Sequence, residues 1–245
     1  MRVTLVSHSA LIDNVLDIDE PSLISYFASK ECYNKEALVY PESKESYESL
    51  LTKVIKSGHT SVLEHCSATF ELSGVSRALT HQLVRHRIAS YSQQSQRYCT
   101  ADPSESICPA SIKNHPECYK RHQELLNQIK STYDFYIDHG IPKEDARYDL
   151  NNGVISNIMV SMNYRSYINF FHERLCTRAQ WEIRNVAKEM YKILEEIDPL
   201  IFSKNGYCKG SVCDTMGFCT EHNSCGKKPK LNEILEIYHN HKNAS

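Results

Sequence analysis

Net charge is nearly absent from this sequence. Lys and Arg number 28 against 30 Asp and Glu, a formal −2. That excludes a generic polyanion binder. Long apolar runs are absent too: no stretch approaches the ~18 residues a membrane-spanning helix needs. The opening Met1-Arg-Val-Thr-Leu-Val-Ser-His8 has one basic residue but no long apolar core or cleavage site, so it does not read as a signal peptide. Acidic residues are missing from one window, between Glu71 and Asp102. That window holds Arg77, Arg85, Arg87 and Arg97, with His81 and His86. Arginine concentrated in an otherwise neutral chain points to a local anionic ligand. With 41% hydrophobic and 24% charged residues, disorder is excluded as the main state. Cysteine is the abundance: there are ten. Without a secretory signal, reduced thiols in a cytoplasmic protein, with at most one metal site, are expected.

Residues Thr4–Ser7 read as a first strand. Pro21–Tyr33 reads as a helix with Leu23, Tyr26 and Phe27 on one side. Tyr47, Leu50, Leu51, Val54 and Ile55 recur at helical spacing, and Gly58 sits where a C-terminal cap belongs. From Cys66 to Leu72, apolar and polar residues alternate as in a half-buried strand. Val75, Ala78, Leu79, Gln82 and Leu83 predict a helix to about His86. Residues 87–117, punctuated by Pro103, Pro109 and Pro116, read mostly as loop. A long helix is expected over Tyr119–His139, with Leu125, Leu126, Ile129, Tyr133 and Tyr136 inward. Pro142 opens another, to about Leu150, whose Glu144 and Asp145 suit the positive helix start. Val154–Met162 reads as a strand, and Arg165–Glu173 and Ala179–Ile197 as helices. With no repeat and no clear linker, the expectation is an α+β fold. Residues 1–200 form a single mixed domain with a small sheet and several long helices, and 201–245 a Cys-rich C-terminal appendage.

Residues 85–98 read Arg-His-Arg-Ile-Ala-Ser-Tyr-Ser-Gln-Gln-Ser-Gln-Arg-Tyr. Only Ile88 and Ala89 are aliphatic. Arginine forks match phosphate oxygens bidentately, and hydroxyls and amides suit phosphate or base edges. A solvated loop after a helix is the alternative reading of the composition.

Arg85-His86-Arg87, seven residues and then Ser95 resemble the RHR-x7-S signature of flavin-dependent thymidylate synthases, and Arg97-Tyr98 also fits. Gly58-His59-Thr60-Ser61-Val62-Leu63-Glu64-His65 resembles that family's GHxSxxEH block. Asp145-Ala146-Arg147 precedes Leu150 as in the family. Asn163-Tyr164-Arg165-Ser166, Asn169 and Arg174 match a block that ends in Ala179-Gln180-Trp181-Glu182-Ile183. Several blocks in fixed order, over about residues 20–200, identify the chain as similar to members of this family.

The resemblance implies synthesis of dTMP from dUMP, a methyl-transferring step in nucleotide biosynthesis. Methylenetetrahydrofolate is the carbon donor, and NADPH the reductant through bound FAD. It implies a homotetramer whose active sites draw on more than one chain, with no nucleic-acid or membrane partner. Ser61, Glu64, Arg85, His86, Arg87, Gln93, Asn163, Tyr164, Arg165 and Asn169 fall at flavin positions. Gln82, Leu83, Val84, Arg85, Gln93, Gln94, Ser95, Gln96, Arg97, Arg147 and Arg174 fall at substrate positions. Ser95, Gln96 and Arg97 are implied to reach the dUMP phosphate from a different subunit. Arg174 is implied as the catalytic residue beside the base, where a guanidinium favours the ionised imide. No enzyme nucleophile is implied; Ser95 has no obvious base near it in sequence. Two departures stand out. Many relatives carry Asn-Glu where this chain has Ser92-Gln93, and Gln96 replaces a frequent glycine. Neither removes an arginine.

Cys208, Cys213, Cys219 and Cys225, with His222, offer soft ligands for zinc or an iron–sulfur cluster, but their spacing matches no usual motif. Reduced thiols are the other reading, and no metal ligand is assigned. His59 and His65, which are not an i,i+4 pair, are assigned to structural or flavin-pocket roles. A nucleic-acid-binding module with a zinc-bearing tail is the competing function. The near-zero net charge and the absence of a finger spacing weigh against it.

Overall fold

The structure, a computed structural model, describes residues 1–12, 16–36 and 38–243. It is an α+β fold. Strand β1 (Arg2–His8) precedes helices α1 (Ser22–Glu31) and α2 (Lys44–Lys56) and a 3₁₀ turn at Thr60–His65. Then come β2 (Ser67–Ser76), α3 (Arg77–Leu83), β3 (Ala89–Gln93), α4 (Ala110–Lys113) and the long α5 (Pro116–Asp138). A short α6 (Lys143–Ala146) and a 3₁₀ turn at Arg147–Asp149 lead to β4 (Ile155–Asn163) and α7 (Tyr164–Arg174). The chain ends with α8 (Trp181–Ile197), α9 (Val212–Met216) and α10 (Leu231–Asn243). The four strands form one antiparallel sheet in the order β1-β2-β4-β3.

Local chemistry sets most of these limits. Ser43 caps α2 in a reciprocal capping box with Ser46. Gly58, at φ +93°, ends it in a conformation that costs glycine little. Helix α2 buries Tyr47, Leu51 and Ile55, every fourth residue. Helix α8 buries Ile183, Val186, Ala187, Met190 and Leu194 on one stripe, and the Gln180 side chain caps it at the Glu182 and Ile183 amides. In β2, Ala68, Phe70 and Leu72 are buried in strict alternation.

Four expectations need correction. Val75 and Ser76 end β2 rather than opening a helix. The helix starts at Arg77, where the Ser76 hydroxyl accepts from the Leu79 amide, and stops at Leu83. Residues 87–117 are not mostly plain loop: they contain β3 and α4, and α5 already begins at Pro116. Strand β3 escapes the hydrophobic pattern because its inward residues are Ala89, Tyr91 and Gln93, a small, an amphipathic and a polar side chain. Leu125 is half exposed, because only Leu126 and Tyr133 of α5 are fully buried.

The chain divides into two compact units. The first comprises Met1–Thr4, Glu71–Arg85 and Ser90–Val160. Here α3 is tied to the start of β4 by main-chain bonds from Arg77 to Val154 and from Ala78 to Asn152. The second comprises Leu5–Phe70, His86–Ala89 and Ser161–Ser245. Its core is aromatic. Tyr167 stacks on Phe171 at 5.8 Å, and Phe202 packs edge-on against Tyr164 at 4.8 Å and Phe171 at 5.7 Å. Ile201, Phe202 and Cys208 are completely buried, so the beginning of the cysteine-rich tail is core. The same unit holds a buried carboxylate, Asp198. It accepts from the Ser22 amide at 2.7 Å and the Ser22 hydroxyl at 2.9 Å, tying the end of α8 to the start of α1. Burial pushes its carboxyl up to about 7.

Candidate active site

In the second unit, α7 carries one group of site candidates. Asn163 caps it, its side-chain oxygen accepting from the Ser166 amide at 2.9 Å. Tyr164 is fully buried among the aromatic residues, and its hydroxyl has no partner. Of the candidates on α7, Arg165 and Asn169, one turn apart, are exposed. Arg165 donates from Nη1 to the Glu64 carboxylate at 2.5 Å, joining α7 to the 3₁₀ turn that also presents the exposed Ser61.

The Arg85-His86-Arg87 segment alternates. Arg85 (in the first unit) and Arg87 are exposed, while His86 between them is 7% exposed. The chain turns at Ile88, whose φ of +64° is a strained conformation for a β-branched residue. His86 packs against the edge of Phe170 with centroids 4.9 Å apart. Its Nε2 lies 2.8 Å from Arg174 Nε, at the end of α7. Burial, and then the neighbouring Arg174 guanidinium, hold the imidazole below its ordinary range, so it is neutral at physiological pH. Arg174 is part-buried and lies 4.0 Å from Glu173.

Beyond Arg174 a cavity of about 410 Å³ is lined by residues of α7, α9 and the tail, including Cys176, Cys213, Cys219 and Cys225. Arg174 lines it too, and its two other cations are already matched: Arg178 pairs with Glu221 at 3.2 Å, and Lys227 with Asp214 at 2.8 Å. Among the described residues, no three His, Cys, Asp or Glu side chains gather in a way that would hold a metal ion. Cys208 stands apart in the core, where burial pushes its thiol up to about 12, the opposite of what a thiolate ligand needs.

The first unit holds most of the substrate candidates. Gln82 donates to the Ala78 carbonyl within α3; Leu83 is buried, and Val84 is partly exposed. Gln93 reaches inward: its amide nitrogen donates to Thr80 Oγ1 at 3.0 Å and to Ser156 Oγ at 3.2 Å. The Thr80 hydroxyl already donates to the Arg77 carbonyl at 3.1 Å, so it accepts from an amide N–H where a carboxylate would have nothing to donate, and the amide anchors β3 on α3 and β4. Gln94 is exposed, and its main chain continues the pairing to Asn157. Ser95 Oγ accepts from the Arg97 amide at 3.2 Å, and the buried Gln96 side-chain nitrogen has no partner.

Arg97 and Arg147 converge on Glu144. Arg97 Nε contacts the Glu144 carboxylate at 2.6 Å, and Arg147 Nε donates to the Glu144 main-chain oxygen at 3.0 Å. Arg77 is held below the usual arginine range by burial and by the nearby Arg147. Glu144 was legible only as an acidic helix-start residue; its sequence gives no sign of a pairing 47 residues back. The roles of Thr80, Ser156 and Glu173 were equally silent.

Comparisons with known proteins bear on these two groups. A family model described as "Thymidylate synthase complementing protein" matches residues 11–200. A flavin-dependent thymidylate synthase of Geobacter sulfurreducens is 36% identical over 241 residues, covering 96% of this chain and 98% of its own. That of Nitratidesulfovibrio vulgaris is 36% identical, covering 93% and 95%. That of Pyrococcus horikoshii is 42% identical over 210 residues, 82% of each chain.

Proposed function

Because the chain belongs to the flavin-dependent thymidylate synthase family, we propose that it converts dUMP to dTMP, with methylenetetrahydrofolate as carbon donor and NADPH as reductant through FAD. We read it as a cytoplasmic homotetramer in which each site uses residues of more than one chain. The observation that carries the reading is Arg174, a part-buried guanidinium whose Nε is held by a neutral imidazole. Arginine has five N–H donors. With Nε engaged by His86, the two terminal amino groups remain for a planar acceptor such as the uracil imide.

The donor set suits a flavin. Exposed Arg85 and Arg87 offer cationic forks for a pyrophosphate, and Ser61, Arg165 and Asn169 offer further polar contacts on one side of α7. When bound, the flavin supplies the redox step. The protein's own residues bind and polarise. Arg97 and Arg147 hold the nucleotide phosphate, with the Ser95 hydroxyl beside them. Arg174 places positive charge next to the uracil imide and lowers the cost of negative charge on the ring. Gln93, with its amide turned inward, anchors β3, the strand that leads into Ser95 and Arg97.

The test is an absorption spectrum of the full chain, before and after FAD and then dUMP, followed by chromatography for dTMP with both cosubstrates. Flavin bands that shift with dUMP, and dTMP formed only with all components, support the reading. Folded, flavin-loaded protein that makes no dTMP would overturn it.

A further inference from the structure

His86 is implied by family resemblance to face the flavin, yet its ring nitrogen points at Arg174. Arginine only donates. A histidine nitrogen 2.8 Å from Arg174 Nε must therefore present a lone pair. That leaves the ring neutral, with its one proton on Nδ1. Phe170, which packs the ring, and Arg174, which donates to it, stand four residues apart on α7 and so share one helix face. Two residues past His86, the left-handed turn at Ile88 redirects the chain, with the Ile88 side chain largely exposed.

We propose that His86 is a positioning residue for Arg174, accepting from Nε and so fixing the plane in which the guanidinium meets the pyrimidine. The inference rests on the proposed thymidylate synthase reading for the identity of that pyrimidine. The neutrality of the partner matters. A carboxylate would hold the guanidinium equally well but cancel part of its field at the substrate. A neutral imidazole orients it without adding a further negative charge to that of Glu173, 4.0 Å away. Charged groups that face the ring include Arg174 and Glu173; the Glu173 carboxylate is 3.9 Å from Nε2 and about half exposed, so water screens it. Protonation of His86 removes the acceptor and sets two cations against each other.

The experiment uses the full chain loaded with FAD and reads dUMP affinity from the flavin spectrum. His86→Ala should weaken dUMP binding about 10–100-fold, as expected for losing a bond to a charged group, and retain FAD. His86→Gln, whose side-chain oxygen can accept in place of Nε2, should stay within about threefold. In His86→Ala/Arg174→Ala, dUMP affinity should match that of Arg174→Ala alone, since the two residues act as one unit. Additive losses, or a His86→Ala protein that loses FAD and keeps its dUMP affinity once FAD is saturating, would overturn the proposal. A ligand-free reading covers the case in which the alanine variants do not fold. Selective ¹⁵N labelling of histidine in the wild-type chain, assigned with His86→Gln, should show a neutral ring protonated on Nδ1 at about pH 7.5. A proton on Nε2 would overturn the proposal whatever the ligand. If the wild type binds no dUMP and makes no dTMP, the thymidylate synthase reading falls, while the nitrogen signals still decide the His86–Arg174 bond.

Discussion

Arg174 and Arg97 are both assigned to one substrate, but they are held in opposite ways. Arg174 is part-buried and bound to a neutral ring that is itself enclosed. Arg97 is about half exposed and paired with a half-exposed carboxylate. A buried neutral acceptor sets direction and spares the charge. An exposed carboxylate neutralises the charge until a stronger anion arrives, and salt screens it. Placement suits a group that must polarise a ring, and exchangeability suits one that must catch and release a phosphate.

The difference can be broken most sharply at Arg174. Arg174→Lys keeps the charge but loses the planar fork and its Nε donor. Turnover should fall about 10²–10³-fold with FAD still bound; near-normal turnover would show that direction does not matter there. Arg97→Ala should weaken dUMP binding about 10–100-fold. Arg97→Lys should recover most of this, and only the exposed site should weaken steeply as salt rises. Titration of dUMP at low and high salt against both lysine variants separates the two arginines. Equal penalties from both lysine variants would erase the contrast.

Acid and base act on the buried groups of the second unit in opposite senses. His86 and His172 are held below their ordinary value by burial, so the unfolded chain takes up protons first and their contribution to stability is lost as pH falls below about 6.5. Asp198 is raised from 3.8 to about 7, so the folded chain holds its proton longer, and stability is lost as pH rises through that window. The melting temperature of Asp198→Asn, relative to wild type, should therefore rise by a few degrees from about pH 4 to pH 7 and level off above. A constant difference across that range would remove Asp198 as a titrating group. The histidine contributions cancel because both proteins carry them. The smallest effect is expected at Ile88. Ile88→Gly relieves a left-handed conformation and should add about 1 kcal/mol of stability by chemical denaturation. A loss of stability would mean that the Ile88 side chain is needed for packing in the assembled protein.

Much of the fold was legible because helical periods are long and repeated. The apolar stripes of α2 and α8 and the alternation in β2 each carry several agreeing residues. Strand β3 was not legible, because five residues with alanine, tyrosine and glutamine inward carry too little hydrophobic contrast. Its pairing with β4 is bought by main-chain bonds and by Gln93, whose partners Thr80 and Ser156 lie 13 and 63 residues away. The site was legible as a set of residue types in order: the Arg-rich run, the GHxSxxEH-like block and the Asn163–Arg174 block. Their partnerships were not.

The sequence by itself determined where arginine is concentrated, which segments have a buried face, and which family the blocks resemble. All three are written in residue identity and spacing. Only the tertiary structure decided that His86 points inward while its two arginine neighbours point outward, that it takes a hydrogen bond from Arg174, and that Glu144 gathers Arg97 and Arg147. The physical reason is distance along the chain. His86 and Arg174 lie 88 residues apart, and Arg97 and Glu144 47. Hydrogen-bond direction and burial, which set the protonation of His86, exist only once those segments are packed together.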